Sequence, residues 1–285
     1  MTTIFEKAYA KINLTLDVLG LRDDGYHALK SVMQTVSLCD DIEIDLGTGQ
    51  PWCLKCDAPG VPLDARNLAW KAAKVFFEAT GIDPDGIGIR MEKRIPSQAG
   101  LGGGSSDAAA VFTALNRHYG MPMSVEALAE LSAKVGSDVP FCVLGGTVMV
   151  EGRGEFVRKL PDMPDCHIVI CKPDFPVSTP ELYRKIDQCV IEKRPDNDAM
   201  EAAIAAGDLR AVAQNVHNVF DPVVAAEHPQ IDHIKSVAAQ CGALAQQMSG
   251  SGSATFAIFP DAQSANAAYN TLKATYALTW LTRPV

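Results

Sequence analysis

No stretch of this 285-residue sequence approaches the ~18–20 consecutive apolar residues that a membrane-spanning helix needs. No membrane association is therefore expected. The opening residues, Met1-Thr2-Thr3-Ile4-Phe5-Glu6-Lys7, lack a basic segment followed by an apolar one, so no secretory signal is expected either. Basic residues are in deficit, with 25 Lys and Arg against 34 Asp and Glu, for a formal charge of −9. That balance excludes a broad phosphate-backbone face, and no nucleic-acid partner is expected. Backbone N–H groups carry no formal charge, so an acidic chain can still bind a small phosphate. Cys53-Leu54-Lys55-Cys56 has no second ligand pair at similar spacing, which removes a structural zinc site. The eight cysteines read as reduced thiols of a cytoplasmic protein, with Cys53 and Cys56 unconnected on one strand. Internal repeats and low-complexity tails are absent.

Two familiar nucleotide signatures are missing as well. No G-K-[ST] triplet follows a glycine-rich stretch, so there is no Walker A loop. Gly100-x-Gly102 is followed by Ser105 where a dinucleotide fingerprint needs glycine.

What is present is an ordinary globular composition, 47% apolar and 21% charged, long enough for two domains. Pro161, Pro164, Pro173, Pro176 and Pro180 mark a boundary, which gives domains 1–160 and 161–285. In the first, Ile12 to Val18 alternates as a strand, placing Lys11, Asn13 and Thr15 opposite Ile12, Leu14 and Leu16. A turn at Arg22-Asp23-Asp24-Gly25 precedes Tyr26-His27, and 32–44 is extended. A helix is predicted over 67–80 with Gly81 as its stop, then a strand at 87–91. Further helices are predicted over 108–119 and from a Ser124 cap to Gly136. The second domain is predicted as a strand at 167–172, helices near 198–217 and 229–240, a strand at 255–259, a helix at 261–276 and a strand near 278–282. That order suggests an α+β sheet with helices on one face.

The strongest local signal is Pro96-Ser97-Gln98-Ala99-Gly100-Leu101-Gly102-Gly103-Gly104-Ser105-Ser106, set between a strand and a helix. A helix start leaves its first amide donors without intrahelical partners, and its dipole favours negative charge. Glycines let the backbone approach a phosphate, and Ser105 and Ser106 add hydroxyls for phosphate or for a metal ion. Phosphoryl transfer to an alcohol needs held phosphates, charge neutralisation and an acceptor for the hydroxyl proton. Asp138 can be that acceptor, and a lysine such as Lys11 can keep it ionised. By spacing alone, Asp138 also reads as a helix cap, Lys11 as a surface charge and Tyr26-His27 as an exposed turn.

The stretch P-S-Q-A-G-L-G-G-G-S-S-D-A from Pro96 to Ala108 resembles the central phosphate motif of the GHMP small-molecule kinases. Ala8-Tyr9-Ala10-Lys11-Ile12-Asn13-Leu14 resembles the first motif of that family, and Met248-Ser249-Gly250-Ser251-Gly252-Ser253-Ala254 its third. With Arg22 to His27 and Gly136-Ser137-Asp138-Val139-Pro140-Phe141, the match narrows to the branch whose substrate is a cytidine diphosphate alcohol of isoprenoid biosynthesis.

The resemblance implies an α+β, two-domain GHMP kinase fold, with an N-terminal domain like ribosomal protein S5 and a ferredoxin-like C-terminal domain. It implies ATP and Mg²⁺, with no protein residue assigned to the metal, in a monomer or weak homodimer. Carried over by position, Asp138 is the general base, Lys11 supports it, and Pro96 to Ser106 wrap the triphosphate. Asn13, Gly250 and Ser251 line the substrate's path. His27 hydrogen bonds to the cytosine, which packs between Tyr26 and Tyr183. Two other readings stand beside this one: a sister kinase for homoserine, mevalonate or a sugar, and a nucleotide-binding regulator without catalysis.

Overall fold

The computed structural model describes residues 1–285. The chain forms two compact units, each discontinuous in sequence. The first comprises residues 1–10, 38–97 and 102–145, and the second 11–37, 98–101 and 146–285. In chain order the elements begin with β1 (Thr2–Asn13), β2 (Thr15–Leu21), β3 (His27–Leu46), β4 (Cys53–Cys56), α1 (Leu68–Thr80) and β5 (Ile87–Glu92). Three helices follow: α2 (Gly103–His118), α3 (Val125–Ser132) and α4 (Val139–Leu144). Next come β6 (Thr147–Gly152), β7 (Phe156–Lys159), β8 (His167–Cys171), α5 (Thr179–Ile186), α6 (Asn197–Ala205), α7 (Leu209–Asn215) and β9 (His217–Asn218). The chain continues with α8 (Asp221–Ala225), α9 (Gln230–Gln240), β10 (Ala245–Met248), β11 (Thr255–Phe259), α10 (Ala262–Lys273) and β12 (Thr279–Thr282).

In the first unit the C-terminal half of β3 pairs antiparallel with β5, Ile42 opposite Met91 and Ile44 opposite Ile89, while β4 runs parallel to β5. The alternation of Ile42, Ile44 and Leu46 with polar neighbours turns one face of β3 into the core. The side chain of Asn67 caps α1 by accepting the Ala69 N–H, and Gly81 ends the helix in the left-handed conformation, as predicted. Phe76 and Phe77 of α1 pack with Val111, Phe112 and Leu115 of α2 and with the apolar face of β3 and β5. Two helices differ from expectation. The first residue of α2 is Gly103 rather than Ala108. Ser124 caps α3 as predicted, but after Ser132 the chain tightens: Ala133, Lys134 and Val135 each bond to the carbonyl three residues back.

In the second unit the N-terminal half of β3 lies between β2 and β6, both antiparallel to it. The expected strand over 12–18 is two strands, interrupted at Leu14. There Leu14 N–H donates to Val32 O at 2.8 Å, and the Val32 N–H reaches the Thr15 hydroxyl at 2.7 Å. A separate four-stranded antiparallel sheet has the order β12–β8–β11–β10. Helices α9 and α10 cover one face, with Ile234, Ala238, Ala265, Ala268 and Leu272 packed on Val169, Cys171, Ala257 and Phe259. This is the ferredoxin-like βαββαβ arrangement. The sequence prediction lacked β10 because Ala245-Gln246-Gln247-Met248 carries no apolar alternation. Gln247 is buried there because its amide donates to Asp221 Oδ2 at 2.9 Å. The helix predicted near 198–217 is broken at Gly207, and Asp208 caps the second piece, α7. Beyond β12 the chain returns to β3: Ser37 N–H donates to Arg283 O, and Val285 N–H to Thr35 O. No helix is long and apolar enough to cross a membrane.

Candidate active site

The glycine-rich segment leaves β5 and enters α2 through Gly102, whose φ is +73°. A glycine cannot cap with a side chain, and no side chain caps α2. The amides of its first turn are thus directed at whatever sits before the helix. Gly103, Gly104, Ser105 and Ser106 form that turn instead of a loop. Two adjacent glycines lower helix propensity by about 1 kcal/mol each, and close packing offsets this: a Cβ on Gly103 would stand 3.1 Å from Ile95 Cγ2. The Ser106 hydroxyl is buried and donates to Gly102 O at 3.0 Å, so Ser105, half-buried, is the more accessible of the pair.

In the second unit, three segments distant in sequence converge. The Lys11 N–H donates to Leu101 O at 3.0 Å, and the Ala254 N–H to Ala99 O at 3.2 Å. Ser249 Oγ donates to Gly100 O at 2.9 Å and accepts the Asn13 N–H at 3.3 Å. Lys11 Nζ donates to Asn13 Oδ1 at 2.6 Å, and Asn13 Nδ2 donates to Ser31 Oγ at 2.9 Å. Lys11 is 3% exposed, which rules out the surface-charge reading. Gly250 approaches so closely that a Cβ there would lie 3.2 Å from Lys11 Nζ and from Gly100. The neighbouring Ser251 hydroxyl is 2.9 Å from that of Thr179 at the start of α5. Sequence reasoning missed the residue that fixes this third segment. Asn218, on the two-residue strand β9, is fully buried and donates to both Met248 O and Gly250 O at 2.8 Å. No local pattern announces it.

The aromatic residues separate into two places. Tyr183 stacks on His27, with ring centroids 4.6 Å apart and planes at 26°, and also meets Phe220 edge to face. His27 Nε2 lies 2.7 Å from Asp187 Oδ1, a partner the sequence did not suggest. Tyr26 is 59% exposed in the turn, with the Arg153 guanidinium 5.2 Å over its ring.

Asp138 occupies the N-cap position of α4, half-buried, yet its side chain makes no capping hydrogen bond. Pro140 stands in the first turn of α4 and removes one of the amides a cap would serve. The helix-cap reading therefore fails for this residue.

Models of the GHMP kinase N-terminal and C-terminal domains match residues 67–146 and 200–278. A 4-diphosphocytidyl-2-C-methyl-D-erythritol kinase from Caldicellulosiruptor saccharolyticus is 43% identical over 267 residues, covering 94% of this chain and 92% of its own. The chain belongs to the 4-diphosphocytidyl-2-C-methyl-D-erythritol kinase family. A Clostridium botulinum kinase of the same name is 41% identical over 98% of this chain and 99% of its own. The crystal structure of a 4-(cytidine 5'-diphospho)-2C-methyl-D-erythritol kinase matches with a TM-score of 0.80 at 32% identity, over 99% of both chains. A homoserine kinase from Cytophaga hutchinsonii reaches a TM-score of 0.79 at 21% identity and shares the fold alone. The chain thus has the two-domain GHMP kinase fold that its motifs led one to expect.

Proposed function

We propose that this kinase transfers the γ-phosphate of ATP to the 2-hydroxyl of 4-diphosphocytidyl-2-C-methyl-D-erythritol, a step of the non-mevalonate (MEP) route to isoprenoids. The observation that carries the reading is the convergence of Lys11-Asn13, Gly100-Leu101 and Ser249-Gly250 in one buried network. Family membership supplies the substrate class. The two family-model matches lie one on each side of residue 160, consistent with domains at 1–160 and 161–285. The reading places a cytoplasmic enzyme, a monomer or weak homodimer, at this step.

In this mechanism the residues from Pro96 to Ser106 wrap the triphosphate, with the first-turn amides of α2 meeting its negative charge. Asp138 accepts the proton of the attacking hydroxyl. The new bond forms between that oxygen and the γ-phosphorus, and the bond to the bridging oxygen breaks to release ADP. Lys11 supports Asp138 in that role, and Asn13, held by Ser31 and Lys11, is positioned for the substrate. No group of three or more His, Cys, Asp or Glu is placed to form a dedicated metal cage. The donor set suits Mg²⁺ riding on the nucleotide, with the Ser105 hydroxyl as a protein ligand. The ion would neutralise charge on the phosphates.

His27 reads the cytosine edge and Tyr183 packs on its face. Tyr26, exposed at the turn under the Arg153 guanidinium, is assigned to the other face of the base. Stacking is worth roughly 1–3 kcal/mol per base. Tyr183→Ala is accordingly expected to raise KM for the cytidyl substrate ~5–150-fold and leave KM for ATP unchanged. Steady-state kinetics with each substrate varied in turn will show it, and a change in ATP KM instead would remove Tyr183 from the base site.

The deciding assay is ADP release from Mg-ATP with 4-diphosphocytidyl-2-C-methyl-D-erythritol, homoserine, mevalonate and galactose in parallel. Turnover confined to the cytidyl alcohol is expected. Turnover only with another alcohol would make the protein a sister kinase, and nucleotide binding without any turnover would make it a regulator.

A further inference from the structure

The most concentrated buried charge outside these residues lies in the first unit. Asp40 on β3 is 0% exposed, Asp107 on α2 is 3% exposed, and the Lys93 side chain, just past β5, is 7% exposed. Lys93 Nζ donates to Asp40 Oδ2 and to Asp107 Oδ2, each at 2.5 Å. The other oxygen of Asp40 accepts the N–H groups of Arg94 at 2.5 Å and Ile95 at 2.8 Å. Asp107 Oδ1 is buried without a hydrogen-bond partner. Withdrawing three charges from water is expensive, and an ion cluster of this kind is weak evidence for stability as such. Its position gives it another purpose. Arg94 and Ile95 are the last residues before Pro96, where the glycine-rich segment begins, and Asp107 lies just beyond the first turn of α2, where it ends. One ammonium thus ties both ends together, and Gly103 packs within 3.6 Å of it when a Cβ is placed there.

We propose that Asp40, Lys93 and Asp107 form a buried staple that sets the geometry of the phosphate loop and hence its affinity for ATP, with Asp107 as a positioning residue. The proposal rests on reading Pro96 to Ser106 as the nucleotide loop. Two carboxylates against one ammonium leave an excess negative charge behind the amides that are to receive phosphate. Burial pushes Asp107 up to about 7, with Lys93 pulling it down and Asp40 pushing it further up. The other titratable groups facing the cluster are Cys56 on β4, whose thiol burial raises, and Asp57, which accepts the Lys93 N–H at 2.9 Å.

Calorimetric Kd values for ATP at saturating Mg²⁺ test this on the native protein and on three variants. Asp107→Ala is expected to weaken ATP binding about tenfold, since a charge-assisted bond no longer fixes the end of the loop. Asp107→Asn keeps an acceptor for Lys93, so it should restore the affinity. Native-like affinity in Asp107→Ala, or a tenfold loss in Asp107→Asn, would overturn the staple. The asparagine series decides the matter even where the alanine variant does not fold. Gly102→Val separates the underlying reading: a β-branched residue cannot hold the φ of +73° at the entry to α2, so the first-turn amides shift and ATP binding should weaken, and unchanged affinity would overturn the loop assignment itself.

Discussion

Asp138→Ala will lower kcat by ~10²–10⁴ while ATP binds with native affinity. That range is the usual cost of removing a positioned general base. Asp138 contributes no capping hydrogen bond to α4, and Pro140 already removes a first-turn amide from the helix. ADP release gives kcat, calorimetry gives the ATP Kd, and thermal melting confirms that the variant is folded. Asp138→Asn should match the alanine variant in rate, since an amide keeps the shape and loses the basicity. A rate near the native value in either variant removes Asp138 from proton transfer. A parallel loss of ATP affinity would mean the residue organises the nucleotide rather than the hydroxyl.

Gly100→Ala will lower kcat/KM by at least ~10²-fold, the penalty a displacement of about 1 Å in reacting groups can carry. Two effects act together. Gly100 has φ +74°, a conformation that costs an L-residue roughly 1–2 kcal/mol. Its new Cβ would also stand 2.0 Å from Ser249 O and 3.2 Å from Gly252 N, both backbone atoms that cannot rotate aside. Either the turn at 98–101 or the segment at 249–252 must move, and both contact Lys11 or its neighbour Asn13. Gly103→Ala is the control. It sits in ordinary helical conformation, and its nearest obstacle is a side-chain methyl at 3.1 Å, so most of the activity should survive. Equal activity in the two variants would show that the close approach of Gly100 to Ser249 has no bearing on catalysis.

Much of the site could be read from the chain because its features are local. The period of β1 put Lys11 and Asn13 on one face, and they share a 2.6 Å hydrogen bond. Gly81 and Asn67 delimited α1 through capping chemistry that reads directly from residue type. The beginning of α2 was displaced because glycine run lengths argue for loop, whereas packing against Ile95 decides for helix. Residues fixed by distant contacts were invisible. Asn218 earns its place through carbonyls 30 and 32 residues away, and Asp187 through a histidine 160 residues earlier. The aromatic pair was half legible: Tyr183 was expected beside a base, but its stacking on His27 depends on where α5 sits against β3, which no spacing encodes.

The return of the chain from β12 to β3 constrains when this enzyme can come alive during synthesis. Thr35, Val36 and Ser37 are bonded to residues 283–285. Those partners emerge from the ribosome roughly 250 residues later, on the order of 10–50 s at cellular elongation rates. Until then residues 35–37 of β3 lack this partner, and the Ser37 N–H and Thr35 O stay available to other chains. A kinase built this way completes that edge of β3 only once residues 283–285 have been made, and it depends on nothing else pairing there in the interval.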